Sequence, residues 1–411
     1  MANGFAFKRS APAPKKSSCA QASVLIEQLQ GTFSELKDPR VERTRAHSLS
    51  DILMMAILAV IGGAKGWEDI ENYAVSKQEW LSEFLALPHG IPCPDTFRRV
   101  FERINPQVFE QCFQRWVQSL VDSLGLQVIA MDGKTLKGSY DRESGCKALH
   151  VVSAWATEHR LVLGQLKVAD KSNEITAIPA LLKLLDLSGC IITIDAMGTQ
   201  KAIAQQIRQG NADYVLTLKA NHPTLYGQVK AWFEQAIAQA FVGIDVSIDE
   251  RVETGHHRIE KRQVFSVPVS QLPPLHEQAD WVGLHSVVMV VRVRQLWNKT
   301  TREVQFYLTS LDSDAQKLGR AIRLHWGIEN TLHWTLDVTF AEDAARIRSG
   351  HAPQNMALLR RIALNALNRE STLRRSTRQK SNRAAMDNQY MLKVLLAALS
   401  IPDCQLESAC Q

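Results

Sequence analysis

Two apolar runs in this chain each stop at an aspartate. In "LQVIAMDGKTLKGS" (126–139), Leu126, Val128, Ile129, Ala130 and Met131 read as a buried strand that runs out at Asp132. In "CIITI" (190–194) a second buried strand runs out at Asp195, 63 residues later. A carboxylate in that position is costly to bury unless a cation or a metal ion pairs it. If the two strands adjoin with their C-terminal ends at one sheet edge, the acids come together. Their repulsion then requires a cation, and paired oxygen ligands suit Mg2+ or Mn2+. Either aspartate taken alone also has a plainer use, as a helix cap or a turn residue.

Glu329 is the third candidate. In a helix, Ile322, Trp326, Glu329 and His333 fall at offsets 0, 4, 7 and 11 and share one face. A Glu on a face lined with Trp and Ile is expected to be paired. The partner is a metal ion, or else His333 or Arg323 in an internal ion pair. Other chemistries lack their residues. There is no Gly-x-Ser-x-Gly elbow, no cysteine in a nucleophile context and no phosphate-cradling glycine loop, so no nucleotide cofactor is indicated.

These residues need a scaffold, and 411 residues suffice for two or three cored domains. The formal charge of +6 is mild and means little unless the basic residues cluster. Seven scattered cysteines, odd in number and never in CxxC spacing, argue for a reducing compartment, and no apolar leader segment is seen, so a cytoplasmic protein is expected. The longest uncharged run, 52–64, is too short to span a bilayer and suits a buried helix, so no membrane partner is expected.

Residues 1–22 read as a flexible basic tail and 23–124 as an all-α domain. Within it, Pro92 and Pro94 end one element and Asp95 is placed to cap the next. The following helix carries Arg98 and Arg99, either a DNA-reading helix after a turn or an ordinary surface helix. From 125 to 370 the pattern becomes α/β. A three-strand meander leads to a helix at 173–187, the strand ending at Asp195, a helix at 201–209 and a strand at 214–219. A β-rich insertion occupies 223–312. A helix then begins near Ala315, another spans about 353–367, and 371–411 is an extended basic segment with a terminal helix.

Strand meander, helix, strand, helix and strand, with Asp on the first and fourth strands and Glu on a late helix, match a ribonuclease H-like fold. The segments "IAMDGKTLKGS", "KSNEITAIPALLKLL", "IITIDAMGTQ", "ADYVLTLKANHPTL" and "HWGIENTLHWTLDVTFAEDAARIRSGHAP" resemble insertion-sequence transposases of the H-repeat-associated (ISAs) family. "FSELKDPRVERTRAHSLSDILMMAILAVIGGAKGWEDI" is similar to that family's N-terminal domain, and the likeness runs from about residue 30 to 400.

The resemblance implies an Asp-Asp-Glu transposase with Asp132, Asp195 and Glu329 as catalytic and metal-holding residues. Two Mg2+ (or Mn2+) ions would cleave DNA at the terminal inverted repeats and pass the freed 3′-hydroxyl to target DNA. The implied partner is double-stranded DNA, bound by a homodimer that assembles on it. A nuclease without strand transfer and a DNA-binding protein with a decayed site are the alternatives. Related transposases carry Tyr-Arg-Glu-Lys around the Glu; here stand Arg323, His325, Trp326, Glu329 and Asn330, with Asp337 where a Lys is expected. "ERVETGHHRIEKR" resembles the family's His-x-Arg-x-Glu-x-Arg element, offering His256, Arg258 and Arg262 to phosphate, or else a solvated salt-bridge face. Lys134, Lys137, Arg323 and His333 complete the candidate DNA contacts.

Overall fold

A computed structural model describes residues 17–121, 127–140, 147–169, 173–255 and 258–399. Its strands are β1 (Val128–Leu136), β2 (Leu149–Ala156), β3 (Leu161–Lys167), β4 (Ile191–Ile194), β5 (Asp213–Leu218), β6 (Ser247–Gly255), β7 (Arg258–Pro268), β8 (Ser286–Leu296) and β9 (Lys299–Thr309). All nine join one sheet in the order β3-β2-β1-β4-β5-β9-β8-β7-β6. β1, β4 and β5 are parallel neighbours, and every other pairing is antiparallel. Residues 128–131 of β1, 191–194 of β4 and 214–218 of β5 are buried without a break because both faces of these parallel strands are covered.

The helix Ala315–His325 covers one face. Its Ala315, Leu318, Ala321 and Ile322 pack with Val128 of β1, Ile191 of β4, Val215 of β5 and Val288 and Val290 of β8. Gly319 permits this approach, since a Cβ there would lie 3.0 Å from Val264. The strands of the expected insertion do not form a separate sheet. β9 pairs directly with β5, from Val215–Thr309 to Leu218–Phe306, so they extend the central sheet. In β8, residues 286–291 are buried, 292–294 half-buried and 295–296 exposed, and Trp297 at the β8–β9 turn is 99% exposed.

Before residue 122 every described element is helical. The helix Leu49–Ile61 is buried from Asp51 to Ile61, as its uncharged run requires. Among the described residues no helix is long and apolar enough to cross a membrane. Ala352–Arg369 is the central helix, packed on Leu49–Ile61, on β3 and on the terminal helix Asn388–Leu399. Because it is buried nearly all round, its polar side chains must find partners inside. Asn355 Nδ2 donates to Phe101 O (2.7 Å) and Ile104 O (3.0 Å), and Asn365 exchanges two hydrogen bonds with the Val162 backbone. Arg361, fully buried, donates to Glu342 at 2.6 Å.

Two segments differ from expectation. The tail does not reach residue 22: Ala22 is buried in a helix, Ser17–Thr32, whose Ala22, Leu25, Ile26 and Leu29 form a helical apolar stripe near the terminal helix. Residues 1–16 lie outside the described part. The basic stretch after residue 371 is not extended, since Thr377–Met386 is a helix with Ser376 as its cap. Its Lys380 is 9% exposed and donates to the carbonyls of Leu367 (3.0 Å) and Glu370. The carbonyls left open at the end of the central helix consume that charge.

Arg361→Ala would leave Glu342 buried without its strongest partner. The expected loss in urea unfolding is about 3–5 kcal/mol, and Arg361→Met with Glu342→Leu should recover most of it. A loss below about 1 kcal/mol from the single change would show that the pair does not hold the helix.

Candidate active site

Met131 of β1 pairs with Ile194 of β4 in parallel register, so Asp132 and Asp195 are the next residues on neighbouring strands. Strand spacing sets their backbones about 4.8 Å apart. Alternation places Val128, Ala130 and Asp132 on one face, with Ile191, Thr193 and Asp195 beside them, beneath the helix Ala315–His325. β1 itself does not end at Asp132. It continues along β2 to Leu136, and only its parallel partner stops. Asp195 keeps the plainer role too: its Oδ1 accepts the N–H groups of Met197 (3.1 Å) and Gly198 (3.2 Å).

Asp132 carries the electrostatic load. Burial, then the charges of Asp195, Glu174 and Glu329, against one backbone hydrogen bond at Gly133, push its carboxyl up to about 7. Three acids therefore act on Asp132, and two of them, Asp195 and Glu329, are carboxylates picked out in the sequence with it.

Glu329 does not sit as the simple helical face requires. The helix gives way to a π-helical stretch, Ile328–His333, whose wider turn shifts the phase. Ile322, Ile328 and Leu332 are buried while Glu329 is exposed. Among the described residues its carboxylate forms no ion pair, so the expected pairing with His333 or Arg323 is replaced by an open acid facing Asp132's charge. His333 Nδ1 lies 3.7 Å from Asp132 Oδ2. Burial, with Arg361 and Lys134 nearby, lowers His333 to about 4, so at neutral pH this is a contact with a neutral ring and not a cation for phosphate. His325, likewise lowered to about 4 by burial, shares a 3.0 Å hydrogen bond with Thr193 and ties the helix to β4.

The basic candidates divide. Lys134 is 8% exposed and bonds Asp337 (2.6 Å) and Asp343 (2.8 Å), with Glu342 at 3.8 Å, so it is an internal cation and not a phosphate contact. Asp337, standing where a Lys is expected, thus receives its lysine from β1. Arg262 is nearly enclosed and paired with Glu260. Arg98 and Arg99 both bond Asp95 on their own helix, and Arg323 reaches Glu253 at 3.2 Å. Lys137 is 81% exposed, and Arg258 is half-buried on β7 opposite Leu296. His256 lies outside the described residues.

The sequence reading missed several neighbours. Arg346 and Arg348 are exposed after the helical stretch that carries Glu329 and, with Lys65 and Arg98, line a cleft of about 520 Å3 that Glu68 and Glu102 also border. His351 N–H donates to Glu102 O at 3.0 Å, pinning this segment to the end of the Arg98 helix. Glu174, the first residue after the Asn173 cap of the helix Glu174–Leu184, bonds His150 at 2.8 Å. It stands in "KSNEITAIPALL", where the position after the cap was the available signal.

Asp132, Asp195 and Glu329 offer hard oxygen donors that pair with no Lys or Arg among the described residues, which fits Mg2+ or Mn2+. Among the described residues no three His, Cys, Asp or Glu side chains close around a single point as a chelate. Mg2+ ordinarily binds one or two carboxylates, with waters and substrate phosphate completing its shell, so an open arrangement suits it.

A family model described as DDE_Tnp_1-associated matches residues 31–117, and one described as Transposase DDE domain matches 123–366. "H repeat-associated putative transposase YhhI" of Escherichia coli (strain K12) is 38% identical over 378 residues, covering 90% of this chain and 98% of its own. "Putative transposase YncI" of Escherichia coli O157:H7 is 38% identical over 375 residues, covering 90% and 95%. A solved piggyBac transposase synaptic complex with hairpin DNA aligns with 95% of this chain and 83% of its own, at TM-score 0.40 and 10% identity. The mixed sheet around β1, β4 and β5 fits the ribonuclease H-like fold of such a domain. The match over 123–366, with relatives of this identity along nearly their whole length, establishes that the chain belongs to the transposase DDE domain family.

Proposed function

We propose that this transposase binds the terminal inverted repeats of an insertion sequence, hydrolyses a phosphodiester at each end and joins the freed 3′-hydroxyl to target DNA. The observation that carries the reading is the matched register of Asp132 and Asp195, with Glu329 brought to the same charged point from the facing helix. In this reading those three residues hold the divalent ions. Bound there, two ions would supply an activated water or 3′-hydroxyl and stabilise the leaving oxygen in line.

The chain's own groups set the rest. Arg346 and Arg348 are exposed, and Arg258 is half-buried, and all three can neutralise phosphates; Lys137, Arg98, Arg99 and Arg323 can do so by releasing the acids Asp343, Asp95 and Glu253. His333 and His325 stay neutral and buried, shaping the wall beneath the acids without adding charge. Residues 23–124 act as a DNA-binding layer and 125–370 as the catalytic domain, with β6–β9 extending its sheet. The protein works in the cytoplasm, where its DNA lies.

Asp132→Asn should retain binding to terminal-repeat duplex and abolish nicking of a supercoiled plasmid carrying those repeats. Equal loss of both would make Asp132 structural. A pre-cleaved end offered to the wild-type protein separates joining from cutting, since a nuclease alone leaves it unjoined.

Removing one of the crowded charges should also stabilise the metal-free protein. Asp132→Asn is expected to unfold at higher temperature than wild type in EDTA, and to lose the upward shift that Mg2+ gives the wild type. A lower midpoint in EDTA, with the Mg2+ shift retained, would contradict the placement of an ion at Asp132.

Two ends joined in concert need two sites, and one chain holds one set of acids. A symmetric dimer bridging the ends meets that need. Light scattering should show it mainly with end DNA present, where phosphate offsets the basic faces. Concerted joining by one chain per end would overturn the dimer.

A further inference from the structure

We propose that Glu174 is a fourth carboxylate of the catalytic centre, accepting hydrogen bonds from the hydration shell of the divalent ion at Asp132 from the sheet face opposite Glu329. This rests on the reading that Asp132 holds an ion.

The geometry begins at Gly133. A Cβ on this residue would lie 2.0 Å from Glu174 Oε1 and 2.7 Å from His150 Nε2. Only a residue without a side chain leaves room for that carboxylate against the β1 backbone, one position past Asp132. His150 fixes it there: Nε2 lies 2.8 Å from Oε1, and Thr135 Oγ1 lies 2.7 Å from Nδ1. Thr135 and His150 are register partners across β1 and β2, so the relay stands on two paired strands. A ring held at both nitrogens sets which oxygen of Glu174 is occupied. Oε2 accepts no hydrogen bond from a described residue.

Successive strand residues point to opposite faces, so Glu174 approaches from the side away from the Asp132 side chain. Two features remove the wall between them. β4 has ended at Ile194, which leaves β1 without a strand partner on that side from Asp132 onward, and Gly133 has no side chain to fill the gap. Glu329 and Glu174 therefore bracket Asp132, one over each face of the sheet.

A simple staple between the helix start and β2 does not account for this. Asn173 already caps the helix through Ile175 N–H at 3.1 Å, so the end does not need the acid. A staple placed beside two repelling aspartates adds to their strain, whereas a buried acceptor there has a use once a hydrated ion is present. Glu174 is 9% exposed, so water alone does not screen it.

The test is Mn2+ binding to the full chain without DNA, read by calorimetry and by electron paramagnetic resonance. Asp132→Asn, Glu174→Gln and His150→Gln are compared with wild type. Glu174→Gln keeps the shape and the hydrogen bond to His150, and it is expected to weaken Mn2+ binding about 10–100-fold. His150→Gln should weaken it less, because the acid remains but is loosely held. Wild-type affinity in Glu174→Gln, with binding lost in Asp132→Asn, overturns the inference alone. Unchanged affinity in Asp132→Asn overturns the site reading beneath it. If Glu174→Gln fails to fold, His150→Gln decides: normal Mn2+ affinity there makes Glu174 a framework residue, and weakened affinity supports the proposal.

Discussion

Like charges side by side where two adjacent parallel strands stop pairing are the constraint around which this molecule is arranged. Backbone pairing holds Asp132 and Asp195 side by side, and no rotation of the strands can relieve them while Met131 stays paired with Ile194. Lys134 lies two residues along β1 on the same face but is committed to Asp337 and Asp343. The fold thus directs its internal positive charge just past the acids and leaves the acids themselves unneutralised. Such an arrangement is expensive without an ion and is the usual mark of a functional site.

The compensation is built into the layer behind. Glu342 is fully buried, and burial would raise it, yet Arg361, Arg360 and Lys134 hold it below the usual carboxylate range. These groups come from β1, from the segment after the π-helical stretch and from the central helix. A single charged cluster therefore ties the strand carrying Asp132 to the segment that follows Glu329. Breaking the cluster is strongly unfavourable, because each partner would be left charged in the interior. Polar bonds from Asn355 and Asn365 extend the same fixation to the N-terminal helices and to β3. Rigid support on both sides is what lets the acidic edge remain open.

Sequence reasoning reached the features that depend on short-range pattern. Unbroken apolar runs ending at Asp132 and Asp195 marked the strands, because parallel strands covered on both faces leave no alternation to confuse with a half-exposed sheet. The uncharged run at 52–64 marked a buried helix for a similar reason. What escaped notice depends on contacts between distant residues. Nothing local announces that Lys134 meets Asp337, 203 residues away, or that Lys380 turns inward to cap the central helix. The face drawn through Ile322, Trp326, Glu329 and His333 assumed 3.6 residues per turn, and the π-helical stretch breaks that assumption at the one residue where phase matters most. Glu174 was hidden for a different reason: an acid after an Asn cap is common at helix starts, and only the missing Cβ of Gly133 gives it meaning.

The π-helical stretch has a physical consequence for the acids. A regular helix through Ile322 would turn Glu329 toward the packed face, where a carboxylate must find an internal cation or lose its charge. The wider turn keeps Ile328 and Leu332 in the core while moving Glu329 out to the sheet edge. Packing and exposure are thereby separated within one turn. The helix stays anchored through Ala315, Leu318, Ala321 and Ile322, and its acid remains exposed. π-Bulges are uncommon because their hydrogen-bond geometry is poorer, and they persist mainly where a site requires the displaced residue. Here the displaced residue is the third carboxylate, so the local irregularity and the crowded charge at Asp132 are two parts of one arrangement.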